Sequence, residues 1–211
     1  MQEHFAAIRF KLEQMAAVDP ALLVIDSDFK LAPPLDEREV SAWEARNGVR
    51  LPEDYRAFLL GLGSAGAGPG YGLEPLGTLR RGQTEANASP KTPFPLREFF
   101  DVMDNPDGLS ETELNSDKWT TGAIYLGTEG CGMDYLLVVA GDERGHVWMD
   151  DRTNGYGIYP VAPNREELGG TCEDTTIFVP AESKHERTAF LNWYEWWLDW
   201  MIEEVNYAPE D

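Results

Sequence analysis

The sequence predicts an α+β fold: a mostly antiparallel sheet with helices packed on one face. Three observations predict it. Residues 39–76, EVSAWEARNGVRLPEDYRAFLLGLGSAGAGPGYGLEPL, carry apolar residues at helical spacing, punctuated by cap signals. Residues 121–161, TGAIYLGTEGCGMDYLLVVAGDERGHVWMDDRTNGYGIYPV, break into short apolar runs between glycine turns, the pattern of a meander. Residues 187–205 contain no Gly or Pro and place four tryptophans between Phe190 and Met201.

Taken in order, Phe5, Ile8, Leu12 and Met15 recur at helical spacing, so residues 1–19 read as a helical extension ending near Asp19-Pro20. Glu3, Lys11 and Glu13 interrupt its apolar residues, which argues against a signal peptide. Residues 20–211 read as one domain. Val40, Trp43 and Ala45 give a short helix closed by Asn47-Gly48. Pro52 opens a second helix, where its missing N–H costs nothing, and Glu53 and Asp54 complement that helix's positive end. Tyr55, Phe58, Leu59 and Leu62 face inward. The glycine run from Gly61 to Gly72 follows a helix and carries no GK[ST], so it is a connector into a strand, YGLEPL, rather than a phosphate cradle. Residues 80–118 are rich in Pro and Ser and read as an irregular insertion with short helices at LREFF and SETEL. Beyond it, Ile124-Tyr125-Leu126 is a strand, Gly127 to Gly132 a tight loop, YLLVV a buried strand and GDERG a turn. HVWMD and GIYPV are further strands. On a helical wheel Phe190, Trp193, Tyr194, Trp197, Leu198, Met201 and Val205 share one face, opposite Asn192, Glu195, Asp199 and Glu203. Trp196 and Trp200 lie at the margin, where packing and a partly exposed interface are both open.

Charge narrows the function. With 38 Asp+Glu against 17 Lys+Arg, the net charge is -21. Such a field repels phosphate backbones and anionic membranes and steers cationic partners inward, although it also serves solubility alone. The acids of the tryptophan helix exclude a membrane span, and its polar face lacks the Lys and Arg of a surface-bound helix. Base stacking is also disfavoured, because aromatic platforms work beside basic grooves. The stripe is therefore core.

The residues give no catalytic, cofactor or metal site, so no enzyme is expected. His4, His146 and His185 lie far apart, with neither HExxH nor Cys/His spacing. No GxSxG elbow is present. Asp150 and Asp151 are adjacent on a strand, so they point to opposite faces, and a solvated strand end is the simpler reading. Two cysteines, Cys131 and Cys172, make no disulfide framework and read as reduced thiols in a cytoplasm.

Glu44, Gly48, Leu51-Pro52, Tyr55 and Phe58, with Trp43 on the first helix, resemble the helix–LPxxYxxF–helix opening of the SUKH superfamily. That superfamily includes fungal cell-wall-synthesis regulators and many bacterial immunity proteins. Gly127, Gly130, Gly132 and Asp134, followed by apolar strands and Val147-Trp148, look like its glycine-rich G-x-G-D strand pair. The segment holding Trp193 and Trp197 is similar to its closing helix. The resemblance covers residues 36–205. It departs from the family at Met133, inserted between the last glycine and the acid, and has no counterpart for the insertion. Asp134 enters an apolar strand and needs N–H partners from the loop as a clamp, or else serves a partner.

The resemblance implies an immunity protein that neutralises a cognate toxin domain, with a regulatory scaffold as the alternative. The charge independently favours a basic partner, such as a nuclease, with no direct nucleic-acid or membrane contact. The candidate contacts are acids and aromatics in irregular regions. Asp101, Asp104, Asp107, Glu111, Glu113 and Asp117 lie in the insertion. Glu129, Asp150, Asp151 and Tyr156 lie on strand-connecting turns. Each is otherwise a solvated side chain.

Overall fold

The computed structural model describes residues 2–19, 23, 28–84, 88–105, 108–164 and 177–207. Helix α1 (Gln2–Ala16) precedes α2 (Glu37–Asn47) and α3 (Glu53–Gly61). Strand β1 (Phe100–Asp101) and the one-turn α4 (Glu111–Leu114) lie ahead of β2 (Ala123–Gly130), β3 (Met133–Val138), β4 (Val147–Asp150) and β5 (Gly157–Pro163). β6 (Phe178–Pro180) and α5 (Phe190–Tyr207) follow. The sheet is antiparallel, ordered β1-β5-β4-β3-β2, with β6 also pairing with β5. This is the α+β architecture that the patterning predicts.

Local chemistry sets the helical opening. Asp36 and Glu39 form a reciprocal capping box on α2, and Gly48 ends it in the left-handed conformation. The Glu44 carboxylate accepts from the Leu51 N–H at 2.9 Å and from Arg56 Nε at 3.3 Å, so one acid clasps α2 to α3. Val40, Trp43, Leu51, Tyr55, Phe58 and Leu59 are buried and Pro52 is buried beside them, whereas Ala45 is exposed and plays no inward role.

α5 is the centre of the core. Phe190, Trp193, Tyr194, Trp197, Leu198 and Met201 are buried, and Trp200 joins them, which decides its marginal position in favour of packing. Trp196 is half-buried. Asp199 pairs with Lys11 at 2.7 Å and Glu195 with His4 at 3.1 Å, so α1 lies along part of the polar side of α5. Ile8, Leu12 and Met15 of α1 belong to the same apolar cluster.

Alternation along the strands sends Tyr135, Leu137, Met149 and Tyr159 toward the helices and Leu136, Val138, Trp148 and Ile158 the other way. The second face is also apolar and needs a cover of its own. The insertion supplies it: Phe94 and Leu96 are buried there, with Phe100 and Trp119 packed alongside. LREFF is accordingly extended instead of helical, because Phe100 pairs with Ile158 and makes β1 an edge strand. SETEL does form a helix, α4, with Ser110 and Glu113 as its capping box.

Two further expectations are corrected at β2. Gly127 to Gly132 is not a loop; the strand runs through two register shifts to Gly130 before turning at Cys131-Gly132. YGLEPL is not a strand of the sheet either. It runs along the outer edge of β2, with the Tyr71 N–H donating to Thr128 O (2.9 Å) and the Glu74 N–H to Leu126 O (2.8 Å). That approach demands glycine: a Cβ on Gly127 would stand 2.3 Å from the Gly72 carbonyl oxygen. The glycine run thus covers an edge that would otherwise be open to pairing.

Candidate functional site

One end of the sheet collects most of the predicted contact residues. The β2–β3 tip, the turn from Asp151 to Tyr156 and the segment after β1 all meet there, because Asp134 pairs with Asp150 and Asp101 with Gly157. The Val102 N–H donates to Tyr156 O, and the Asn154 side chain to Cys131 O. Arg152 Nη1 donates to Leu114 O (2.9 Å) and Ser116 O (3.0 Å), which brings α4 to the same end. Tyr71 packs against Gly130, where an added Cβ would stand 2.8 Å from its ring.

The exposed side chains at this end are large. Tyr71 is 82% exposed, Met103 77% and Tyr156 59%. Asp104 and Glu111 are exposed beside them, and Cys131 is exposed at the hairpin tip with φ of 51°. Asp101 is half-buried and caps its own turn, accepting from the N–H groups of Met103 (2.8 Å) and Asp104 (3.0 Å). The Glu113 carboxylate is occupied by the N–H and hydroxyl of Ser110, bonds that lower its pKa. Asp117 is partly buried at the start of a 3-10 turn. Asp107 lies outside the described residues, as does Cys172.

Asp150 and Asp151 are not a solvated strand end. Asp150 is buried and receives Arg80 Nη1 together with Arg152 Nε at 2.8 Å and Nη2 at 2.7 Å. Asp151 is buried and accepts from Asn154 Nδ2 at 2.6 Å. Both acids hold the turn instead of offering charge to solvent. Among the described residues no loop N–H clamps Asp134 either; its carboxylate meets Arg80 Nε at 3.5 Å, while the Thr128 hydroxyl beside it donates to Met133 O at 2.7 Å. Gly132 is where the tip meets the next turn, since a Cβ there would stand 2.7 Å from Thr153. Trp148 anchors the opposite face, edge-on to Phe94 at 4.9 Å.

A model of the SMI1 / KNR4 family (SUKH-1) matches residues 34–168, more than half of the chain. The chain belongs to this family. α1 and α5 lie outside the matched SUKH-1 region, although both share its core. No curated protein and no solved structure matches the chain significantly. Among the described residues of this SUKH-1 protein, no helix is long and apolar enough to cross a membrane, and no three His, Cys, Asp or Glu side chains are grouped to hold a metal.

Arg80, Arg152, Tyr71 and Met103 are the members of the site that sequence reasoning missed. Arg152 follows Asp150 by two residues in MDDRTNG, the spacing of a local ion pair. Arg80 carries no such signal, since its partner is 70 positions away.

The SUKH-1 strand pair also sets a pH response. Burial pushes the Asp134, Glu129 and Asp151 carboxyls up, opposed by the Arg80 charge at Asp134 and by hydrogen bonds from Tyr135 at Glu129 and Asn154 at Asp151. Burial acts on Asp150 too, but Arg152 and Arg80 outweigh it and hold that pKa below the ordinary value. A carboxyl raised in the folded state binds its proton more tightly there, so stability increases as pH falls toward the unfolded value. Asp150 contributes stability above its unfolded pKa and loses it as pH falls through the lowered one. Thermal midpoints are therefore expected to rise on mild acidification toward the ordinary carboxylate range, about pH 4, and to fall below it. Melting curves across that range check this, and a monotonic fall on acidification contradicts it.

Proposed function

We propose that this SUKH-1 protein is an immunity protein acting in the cytoplasm, binding and neutralising a basic toxin domain through the exposed end of its sheet. The observation that carries the reading is the grouping of Tyr71, Met103 and Tyr156 beside Asp104 and Glu111, in a chain of net charge -21. Large amphipathic side chains anchor interfaces, and acids around them steer a cationic partner and set register. SUKH-1 proteins serve generally as immunity or regulatory proteins rather than catalysts, which supports a binding role. A basic nuclease domain, whose cleft is built for phosphates, fits such a surface by charge.

The test is co-expression with candidate toxin domains, followed by binding measurements on the purified pair. Protection of the cell and a one-to-one complex whose association slows with salt are expected. Tyr156→Ala with Asp104→Lys should weaken that complex about thirtyfold or more while the melting temperature stays within about 2 °C. Several weak partners and no protection would favour a regulatory scaffold.

A further inference from the structure

The glycine run covers the outer edge of β2 only in part. Its Tyr71 and Glu74 N–H groups reach Thr128 O and Leu126 O, but the next residue, Pro75, has no N–H to give. The chain then turns away, with the Thr78 N–H on Pro75 O at 3.0 Å. At the other end the Gly122 N–H is taken by Ser89 O, also at 3.0 Å. Ala123, Ile124 and Tyr125 lie between these two covers. Ala123 stands opposite Val138, whose N–H donates to His146 O and whose carbonyl accepts from the Gly145 N–H, both on the β4 side. In an antiparallel pair, opposite residues either both face the partner strand or both face away. Ala123 therefore turns its N–H and C=O outward, and so does Tyr125 opposite Leu136. No donor or acceptor among the described residues meets these four groups.

This stretch of edge lines a groove of about 440 Å³. Trp43, Leu76, Leu79 and Ile124 give the groove apolar walls, with Asn47 and Gln83 among its polar members. Trp43 is 7% exposed, and its indole N–H has no acceptor among the described residues. The orphan indoles of Trp193 and Trp197 are sealed in the core, but this one is not. It faces Gly77, where an added Cβ would stand 2.9 Å from Nε1, and Gly77 is itself a wall of the groove. Among the described residues the lining holds no acid, and Arg46 is exposed, where water and salt screen it. In a chain of net charge -21 the groove is thus a neutral site.

We propose that this groove takes a short extended segment of another polypeptide, which pairs with Ala123 and Tyr125 as an added strand and seats one aliphatic side chain between Trp43, Leu76 and Leu79. The chemistry selects that occupant. Outward N–H and C=O groups on alternate residues of an edge are matched by an extended backbone, which carries acceptors and donors at the same repeat. The walls select an apolar side chain, and the Trp43 N–H an acceptor beside it, such as a peptide carbonyl. A second copy of this chain would bring its own large negative charge to the contact, so the segment belongs to a different protein. The neutral lining also separates this segment from a basic toxin, and the inference stands apart from the immunity reading.

The experiment titrates the full chain, isotopically labelled, with the capped peptide acetyl-Thr-Val-Leu-Val-Thr-amide. Acetyl-leucine methylamide is the control, since it carries the same apolar side chain without the length to span Ala123 to Tyr125. The peptide is expected to give saturable shifts at the Ala123 and Tyr125 amides and at the Trp43 indole N–H. Its affinity should be the same at about 0.05 M and about 0.5 M salt, and Arg46→Glu should leave it unchanged. Leu79 is 38% exposed at the rim, so Leu79→Ser should weaken the peptide about fivefold while the melting temperature stays within about 2 °C. Equal affinity for the control, a Leu79→Ser protein that binds as wild type does, or no saturable shift up to about 5 mM peptide overturns the inference. Self-association of the free chain that the peptide reverses would put a second copy in the groove and overturn it as well.

Discussion

Trp197→Ala is expected to cost about 3–5 kcal/mol, a large share of the roughly 5–15 kcal/mol that holds a domain of this kind together. The side chain is fully buried. It stacks on Phe29 with centroids 5.8 Å apart and meets Tyr194 edge-on at 5.4 Å. Tyr194 in turn donates its hydroxyl to Ala67 O at 2.8 Å, so the indole sits between α5 and the glycine run. Truncation leaves a cavity that this rigid aromatic set cannot close. The indole N–H has no acceptor among the described residues. Trp197→Phe should therefore lose packing area but no hydrogen bond, at about 1–2 kcal/mol. Urea unfolding of the two variants decides the matter. Equal, small losses would mean that the face is looser than the aromatic contacts indicate.

Glu143→Ala is expected to cost a similar amount, about 3–5 kcal/mol, for an electrostatic reason. Glu143 and Arg187 form an ion pair with both side chains almost wholly out of water, 2% and 1% exposed for Arg187 and Glu143. His146 Nδ1 lies 3.1 Å from the same carboxylate, and Arg187 reaches on to the Arg97 carbonyl and to Glu98 at 3.0 Å. The guanidinium carbon also stands 5.9 Å from the centroid of the Trp148 ring. This cluster ties the β3–β4 turn, the insertion and the approach to α5 together at the end of the sheet opposite the candidate interface. Deleting the acid strands a buried cation with the exposed Glu98 as its remaining acidic partner. Replacing both members by methionine should recover most of the loss, because two desolvated charges are removed together. A double-mutant cycle by chemical unfolding should return an interaction energy of about 3 kcal/mol or more. An additive result would show that the pair contributes nothing beyond its separate packing.

The helices and their buried faces were legible in the sequence because their signals are local. The 3.6-residue period of α5, the Asn47-Gly48 stop and Pro52 at the head of α3 each act within a few residues, whatever the rest of the chain does. The family motif was legible for the same reason: Glu44, Leu51 and Arg56 close a contact within twelve positions. Tertiary structure decided what joins residues far apart. Phe100 became a strand residue only because Ile158 offered an unpaired edge, and the insertion became a cover only because Leu136 and Trp148 turned an apolar face away from the helices. Asp150 looks solvated in MDDRTNG; it is buried because Arg80 arrives from 70 residues away to neutralise it. The sequence by itself determined which faces are apolar, since side-chain periodicity is written residue by residue. Which acids stay in water, and which exposed aromatics stand beside them, depended on long-range pairing whose partners no local pattern names.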